Sequence, residues 1–447
     1  MTTLNFNTSS NAGSVVEVWS DQAIDDRREM AIFEYLKDYS NAIVRQDDPG
    51  LRTKYPSPSE AYKMTYHNKA KLIGAGVTNQ ASLTGKEEKV RKNTFSYTAQ
   101  FRRHAVANDE YIPNADISEA DYMLDQRSLL SEWNANDKQN QDISRMMSGA
   151  VLKSYGNGAV GAFASITSSH ILDDDTFVVL KKTLARYNAS PVWMSDDSEN
   201  GNSFRGYVML VDETVAEAMI ASTDFSAFLD TYFEGHGWES PLAKIAYGKK
   251  QNMAIIPVEP RVGFGSPLRP ELIIAKDTAS LANSANVDFN SLVFQLMIQI
   301  QALMMITLMT LLVLLSFTQY LTDYMASAGA TSAGVLCKIV QADGTLISGI
   351  TIKLGSSATS YTINVANASG DAIVLKAGDK IIVLSSAVMA LGANAYISHQ
   401  SAPYFTGQNY DYNFEQGIGV NYWEGGVLVK DTQNIANNIV IDFVYAS

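Results

Sequence analysis

Apolar and polar residues alternate along residues 94–106. Phe95, Tyr97, Ala99 and Phe101 interleave with Thr94, Ser96, Thr98 and Gln100. A period of two predicts a strand with one covered face. The extended pattern opens upstream at Leu83-Thr84-Gly85-Lys86-Glu87-Glu88, so a long two-stranded arm is expected. At about Asp116 the period changes. Tyr122, Leu129, Leu130, Trp133, Ile143, Met146 and Met147 form a thin stripe at helical spacing, ending near Met147, amid Asp, Asn, Gln and Lys. Asp116 with Glu119 three residues on has the capping-box arrangement. Such a helix would run roughly 45–50 Å at ~1.5 Å per residue. Its polar surround predicts a surface position, with one side against a sheet or a neighbour.

Elsewhere the pattern predicts a helix from about Asp21 to Tyr39, followed by a connecting arm broken at Asp47-Asp48-Pro49-Gly50 and Pro56-Ser57-Pro58. Residues 150–262 read as a compact α/β unit. Phe177–Leu180, Tyr207–Val211 and Met253–Val258 are predicted buried strands, and Asp212–Ile220 and Ser226–Phe233 short helices. Between Asp288 and Asp323 no charged residue occurs, and 302–317 is almost wholly apolar. This run, 289–322, is long enough to span a bilayer. Its flanks carry Asp rather than Lys or Arg, and Gln295, Gln299, Gln301 and Gln319 interrupt its ends. Burial between subunits or against its own β module is the expectation, with membrane or lipid contact as the alternative. Residues 331–385 then predict short strands at Val335–Val340, Ile350–Leu354, Tyr361–Val365 and Lys380–Leu384. Turns are expected at Asp343-Gly344, Gly370-Asp371 and Gly378-Asp379. A small β-barrel or sandwich is expected there.

Composition narrows the class. A chain of 447 residues, 46% hydrophobic and 18% charged, is globular and can bury a large core. One cysteine, Cys337, excludes an internal disulfide framework and a cysteine-based zinc site. Met1-Thr2-Thr3-Leu4-Asn5 opens without a basic region and apolar run, so no signal peptide is expected. A formal charge of −13 argues against tight, sequence-independent DNA binding. The basic residues are uneven, however: Lys86, Lys89, Arg91, Lys92, Arg102 and Arg103 cluster against Glu87 and Glu88. That cluster is either a solvated hairpin face or a docking arm that meets an acidic neighbour.

No catalytic constellation can be assembled. Gly156-Asn157-Gly158-Ala159-Val160-Gly161 matches the dinucleotide glycine spacing, but it follows the long helix and reads as a flexible turn. His67, His104, His170, His236 and His399 are scattered, and Asp173-Asp174-Asp175 reads as an acidic loop at a turn. No nucleophile elbow or Walker loop occurs. Catalytic, cofactor-binding and metal residues are therefore expected to be none.

The arm and helix at 83–147 resemble the extended loop and spine helix of tailed-phage major capsid proteins. The strand, glycine turn and strand at Gly206–Asp212, Ile245–Gly248 and Ile255–Glu259 resemble the axial domain of that group. So does the closing segment at Ala390–Ala395 and Phe414–Val420. In this order they are most similar to the podophage capsid family typified by phage N-four, with the Hong Kong 97 fold. The resemblance implies an α+β fold with an N-terminal arm (1–61), extended loop (62–115), spine helix of a peripheral domain (116–155), axial domain (156–264) and closing segment (386–447). Residues 265–385, the apolar run plus the β module, depart from the family as an insertion. The implied function is an icosahedral shell of hexamers and pentamers around double-stranded DNA, assembled in the host bacterial cytoplasm. Portal, scaffolding and decoration proteins are the implied partners. Glu88, Lys89, Arg102 and Arg103 are the candidate inter-subunit contacts. An encapsulin-like compartment and a membrane-anchored surface protein displaying the β module are the alternatives.

Overall fold

The computed structural model describes residues 32–35, 44–46, 62–69, 72, 74, 76–79, 82, 84–85, 87–89, 92–108, 119–195, 203–220, 248–250, 252–259, 265–274, 285–288, 320–330, 333–354, 362–401, 403–410, 415–431 and 435–446. Three sheets organise them.

The central sheet runs Leu152–Tyr155, Ile439–Tyr445, Ser385–Leu391, Ser203–Asp212, Met253–Val258, Gly248–Lys250, with Val192–Ser195 paired to Ser203–Asp212. Its strands are apolar on both faces because both faces are covered. Val208, Leu210, Ala254, Ile256, Met389, Ile441 and Phe443 point into one cluster. Their neighbours Met209, Val211, Met253, Ile255, Val388 and Val440 point into the other. Helices Asp174–Arg186 and Glu213–Ile220 cover that second side through Phe177, Leu180, Leu184, Val215, Ala216 and Met219.

Phe177–Leu180 is thus helix, not the expected strand. Asp173 caps it, accepting from the Thr176 amide at 3.1 Å while the Thr176 hydroxyl accepts from the Asp173 amide. The short apolar run is one turn of a 3.6-residue stripe that continues to Leu184. Asp173, Asp174 and Asp175 are therefore a helix start rather than a loop, where acidic side chains complement the helix dipole. The glycine pattern follows a strand after all, Leu152–Tyr155, and leads to a single 3-10 turn, Phe163–Ser165. The helix required by a dinucleotide site does not follow it. Strands expected at 207–211 and 253–258 and the helix at 212–220 are present. The helix expected at 226–233 lies outside the described residues, as does most of that at 21–39, of which Ile32–Tyr35 is helical.

The second sheet follows the order Ala285–Asp288, Thr362–Asn367, Leu346–Leu354, Val335–Val340, Lys380–Val383, Arg269–Ile273, Gly265–Ser266. All its pairings are antiparallel. The turns at Gly344, Gly370 and Gly378 have positive φ, as their Asp-Gly and Gly-Asp pairs predict. Among the described residues this is one open seven-stranded path rather than a closed barrel. It also recruits strands upstream of the apolar run. Its inner face (Val335, Cys337, Ile339, Ile350, Ile352) joins the same cluster as the central sheet. The apolar run lies outside the described residues except for its end, where 320–328 is helical. Leu321, Tyr324, Met325 and Ala328 fill that cluster, and the Tyr324 hydroxyl donates to the Ser385 carbonyl at 2.9 Å. Among the described residues no helix is long and apolar enough to cross a membrane.

The third sheet contains the arm. Its order is Val44–Gln46, Tyr396–Gln400, Glu415–Leu428, Lys92–Asn108, Tyr62–Lys69, with Tyr404–Tyr410 on Glu415–Leu428. The long helix, Glu119–Gly149, lies against it. Residues 116–118, including the expected cap, lie outside the described residues.

Candidate assembly site

The strand Lys92–Asn108 is 17 residues long, about 55 Å at ~3.3 Å per residue. Its first part pairs with Tyr62–Lys69, from Tyr62↔Ala99 to Lys69↔Lys92. Its second part pairs with Glu415–Leu428, from Gln416↔Asn108 to Glu424↔Gln100. One end is therefore a two-stranded arm and the other is rooted in a sheet. The return strand is Tyr62–Lys69, not the segment at 83–88. The described residues of 82–89 form a turn, with Gly85 at φ 78° and its amide donating to the Glu87 carboxylate at 2.8 Å.

The covered face changes sides along the strand. Phe95, Tyr97 and Ala99 are buried at the arm end, with Tyr66 stacked between Phe95 (6.0 Å) and Tyr97 (6.2 Å). Beyond Gln100 the even residues turn to the long helix. His104 stacks on Trp133 at 4.4 Å, and Val106 packs on the cluster of Leu130, Phe405 and Tyr422. Phe101 and Arg103 are left exposed.

The root carries an ion network that the sequence pattern did not reveal. The Arg102 guanidinium donates to both Asp137 carboxylate oxygens at 2.6 Å and lies 3.6 Å from Glu424. Arg145 donates to Glu424 at 2.9 Å, and Lys138 pairs with Asp142 at 2.7 Å. Tyr422 donates to Asp137 at 2.9 Å; Tyr396 and Ser398 donate to Asp142 at 2.9 and 3.0 Å. Three cations and three carboxylates balance. Burial alone would lower the Arg102 and Arg145 pKa values, but the facing carboxylates outweigh it and hold both above the ordinary range. Burial pushes the Lys138 ammonium down against the pull of Asp142, and pushes the Glu424 carboxyl up against the pull of Arg145. Burial and then the adjacent carboxylates raise Tyr396 and Tyr422, which therefore stay neutral donors.

This network corrects the surface position expected for the long helix. From Leu130 to Met147 it is buried on almost every side, including Asn134, Asp137, Lys138, Gln139, Gln141 and Asp142. Its polar residues face partners rather than water: Gln139 accepts from the Ile32 amide, Asn134 from Gln400, and Ser144 bonds Asp323. Of the expected stripe, Leu129 is instead 57% exposed. The signal available in the sequence was the spacing of Lys138 with Asp142 and Asp142 with Arg145, one helical turn apart. Nothing local marked Glu424 as their partner.

Of the four candidate contacts, Glu88, Lys89 and Arg103 are exposed. Glu88 also accepts from the Gly74 amide at 2.7 Å, which folds the arm loop back on itself. Arg102 is turned inward and committed to Asp137 within the subunit. The four do not converge. The arm is nonetheless electrostatically distinct. Residues 62–108 hold nine Lys and Arg against Glu87 and Glu88, so +7, which leaves −20 for the rest of a chain whose total is −13. Among the described residues no three potential metal ligands group together.

No protein-family model matches the chain, and no curated protein matches its sequence. Solved structures do. The capsid of Ralstonia phage GP4 superposes with a TM-score of 0.52 at 12% identity, covering 94% of this chain and 92% of that one. An acid-stable capsid structure of Helicobacter pylori bacteriophage KHP30 gives 0.49 at 10% identity over 93% and 91%. The cyanophage Pam1 capsid gives 0.48 at 11% identity over 92% and 91%. From end to end, the chain shares the α+β fold of the Ralstonia phage GP4 capsid.

Proposed function

We propose that this chain is the major capsid subunit of a tailed double-stranded DNA phage, self-assembling through hexamers and pentamers into a closed shell. The observation that carries the reading is the end-to-end fold likeness to the GP4 capsid. A rooted arm of opposite charge to the rest of the chain supports it. In this reading 62–115 reaches a neighbouring subunit, with Glu88, Lys89 and Arg103 as contacts and Arg102 as the anchor that aims them. The long helix with the strands of 396–428 forms the peripheral domain, and the central sheet, from 152–258 with 385–391 and 439–445, the axial domain. Residues 265–385, expected as an insertion, carry the apolar run and the seven-stranded sheet, whose inner face joins the core of the central sheet. No enzyme activity is assigned.

Opposite charge on arm and body favours encounter between copies and suppresses wrong pairings more than it adds affinity. The large shared contact area supplies the stability. Expression followed by negative-stain microscopy tests the reading directly. Closed icosahedral shells are the expected result; a monodisperse monomer under all salt conditions refutes it. Deleting residues 80–92 is expected to leave a soluble subunit that forms no closed shells, and normal particles from that deletion would remove the arm from the reading.

A further inference from the structure

A sheet with one face in water alternates apolar-in with polar-out. The strands Arg269–Ile273, Lys380–Val383, Val335–Val340 and the start of Leu346–Leu354 in the seven-stranded sheet do not. Its inner face is buried in the common core through Cys337, Ile339, Ile350 and Ile381. Its outer face is also rich in apolar side chains. Register places Ile273, Lys380, Val340 and Leu346 in one cross-strand row. Glu271, Ile382 and Lys338 form the next. Leu336 borders them, 48% exposed, and Leu346 is 61% exposed. Four strands at ~4.8 Å spacing make this a patch about 14 Å across.

Its charge is as unusual as its hydropathy. Among the strand residues whose side chains are described, Lys338, Lys380 and Lys353 share the face with one acid, Glu271, on a chain whose residues outside the arm carry −20. Lys338 is held below its ordinary pKa by partial burial and by Arg269, against the pull of Glu271 in the same cross-strand row. Exposed apolar surface rimmed by like charge marks an interaction site.

We infer that the outer face of this sheet, centred on Leu336, Lys338, Val340, Leu346 and Lys380, is a contact surface for a second copy of this chain. The occupant is the acidic body of a neighbouring subunit, whose net charge complements the lysines. The inference rests on the shell-subunit reading and adds to it a lateral contact that the arm does not make. Apolar residues supply the desolvated centre and the lysines select the partner's acidic surface.

Two measurements test it. In wild type, Lys338 and Lys380 are labelled with an amine-acylating reagent in free subunits and in assembled shells, and the modified peptides are quantified by mass spectrometry. Strong protection of both on assembly is expected; equal labelling overturns the inference. Separately, Lys338→Glu/Lys380→Glu and Leu336→Ser/Leu346→Ser are compared with wild type after circular dichroism confirms the fold. Each pair is expected to raise the subunit concentration needed for shells by about tenfold, equivalent to about 1.4 kcal/mol. Assembly at the wild-type concentration by both pairs overturns it, as does normal assembly with loss of some other bound protein. If wild type forms no shells, the capsid reading fails on its own. The face is then judged by sedimentation: a dimer broken by the variants supports the contact, and a monomer overturns it.

Discussion

Arg102→Ala separates an anchor from an inter-subunit contact. In the structure Arg102 is the cation facing Asp137, whose side chain is 1% exposed, and it lies within 3.6 Å of Glu424, 0% exposed. Truncation leaves Asp137 with the Tyr422 hydroxyl, and Glu424 with Arg145. Removing one partner of a buried pair costs about 3–5 kcal/mol because the other charge remains desolvated. Arg102 retains 20% exposure, and Asp137 keeps one donor, so the lower end, about 3 kcal/mol, is the expected loss. The assay is urea unfolding of the isolated, unassembled subunit, read as a shift in midpoint at constant slope. Amide exchange should quicken locally in 100–106 and in the facing 418–424. The Asp137→Asn variant is expected to lose less, since Arg102 keeps Glu424 at 3.6 Å and no carboxylate loses its cation, and Arg102→Ala/Asp137→Asn less than the sum of the two. A subunit as stable as wild type that fails only in shell formation would refute the anchor and return Arg102 to the inter-subunit set.

Two further outcomes follow from single positions. Burial pushes Asp442 up to about 6, against the opposing Asn157 amide 3.1 Å away, while an unfolded Asp titrates near 4. The folded state therefore binds this proton more tightly, so its contribution is full below about pH 4 and is lost as pH rises through about 6, roughly 3 kcal/mol in all. Thermal melts between pH 4 and 7 should show that slope and Asp442→Asn should flatten it; an unchanged slope refutes the assignment. Gly426→Ala would place a methyl group on the Tyr396 hydroxyl, which cannot withdraw without releasing Asp142. A loss of several kcal/mol, or insoluble protein, is expected, and a wild-type melting temperature would show that the Tyr396–Asp142 bond is dispensable.

Legibility from sequence followed the range of the forces involved. The strands at 207–211, 253–258 and 335–340 were readable because their periodicity is local and both neighbours in sequence agree with it. Phe177-Val178-Val179-Leu180 was misread because four apolar residues satisfy strand and helix alike. The decision lay outside the run, in the Asp173 cap and in Leu184. The long helix is legible as a helix, but its buried environment is not. Polarity usually signals water, whereas Asp137, Lys138 and Asp142 are solvated by Arg102, Tyr396, Tyr422 and Ser398 from segments 35 to 285 residues away. The return strand of the arm is hidden for a similar reason. Tyr62–Lys69 carries the pairing, and the charged turn at 84–89 lies between the two strands.

The charged root also explains how a strand of this length keeps its register. Lys92–Asn108 pairs with two different strands, and beyond its middle only one side is covered at a time. A one-residue slip against Glu415–Leu428 would turn Arg102, His104 and Val106 away from the long helix and is excluded by burial. A two-residue slip keeps the faces and is the dangerous alternative. It would put Gln100 or His104 where Arg102 now meets Asp137 and Glu424. Gln100 brings no charge, and an ordinary histidine is mostly neutral above pH 6.5. Either way two carboxylates would stay buried without that cation, at a cost comparable to the about 3–5 kcal/mol of a broken buried pair. An apolar root of equal stability would tolerate the slip far better, because Val, Ile and Leu exchange places at low cost. For the proposed shell subunit, whose arm would meet a neighbour at one distance and angle, ions at the root therefore contribute more than their net stability suggests.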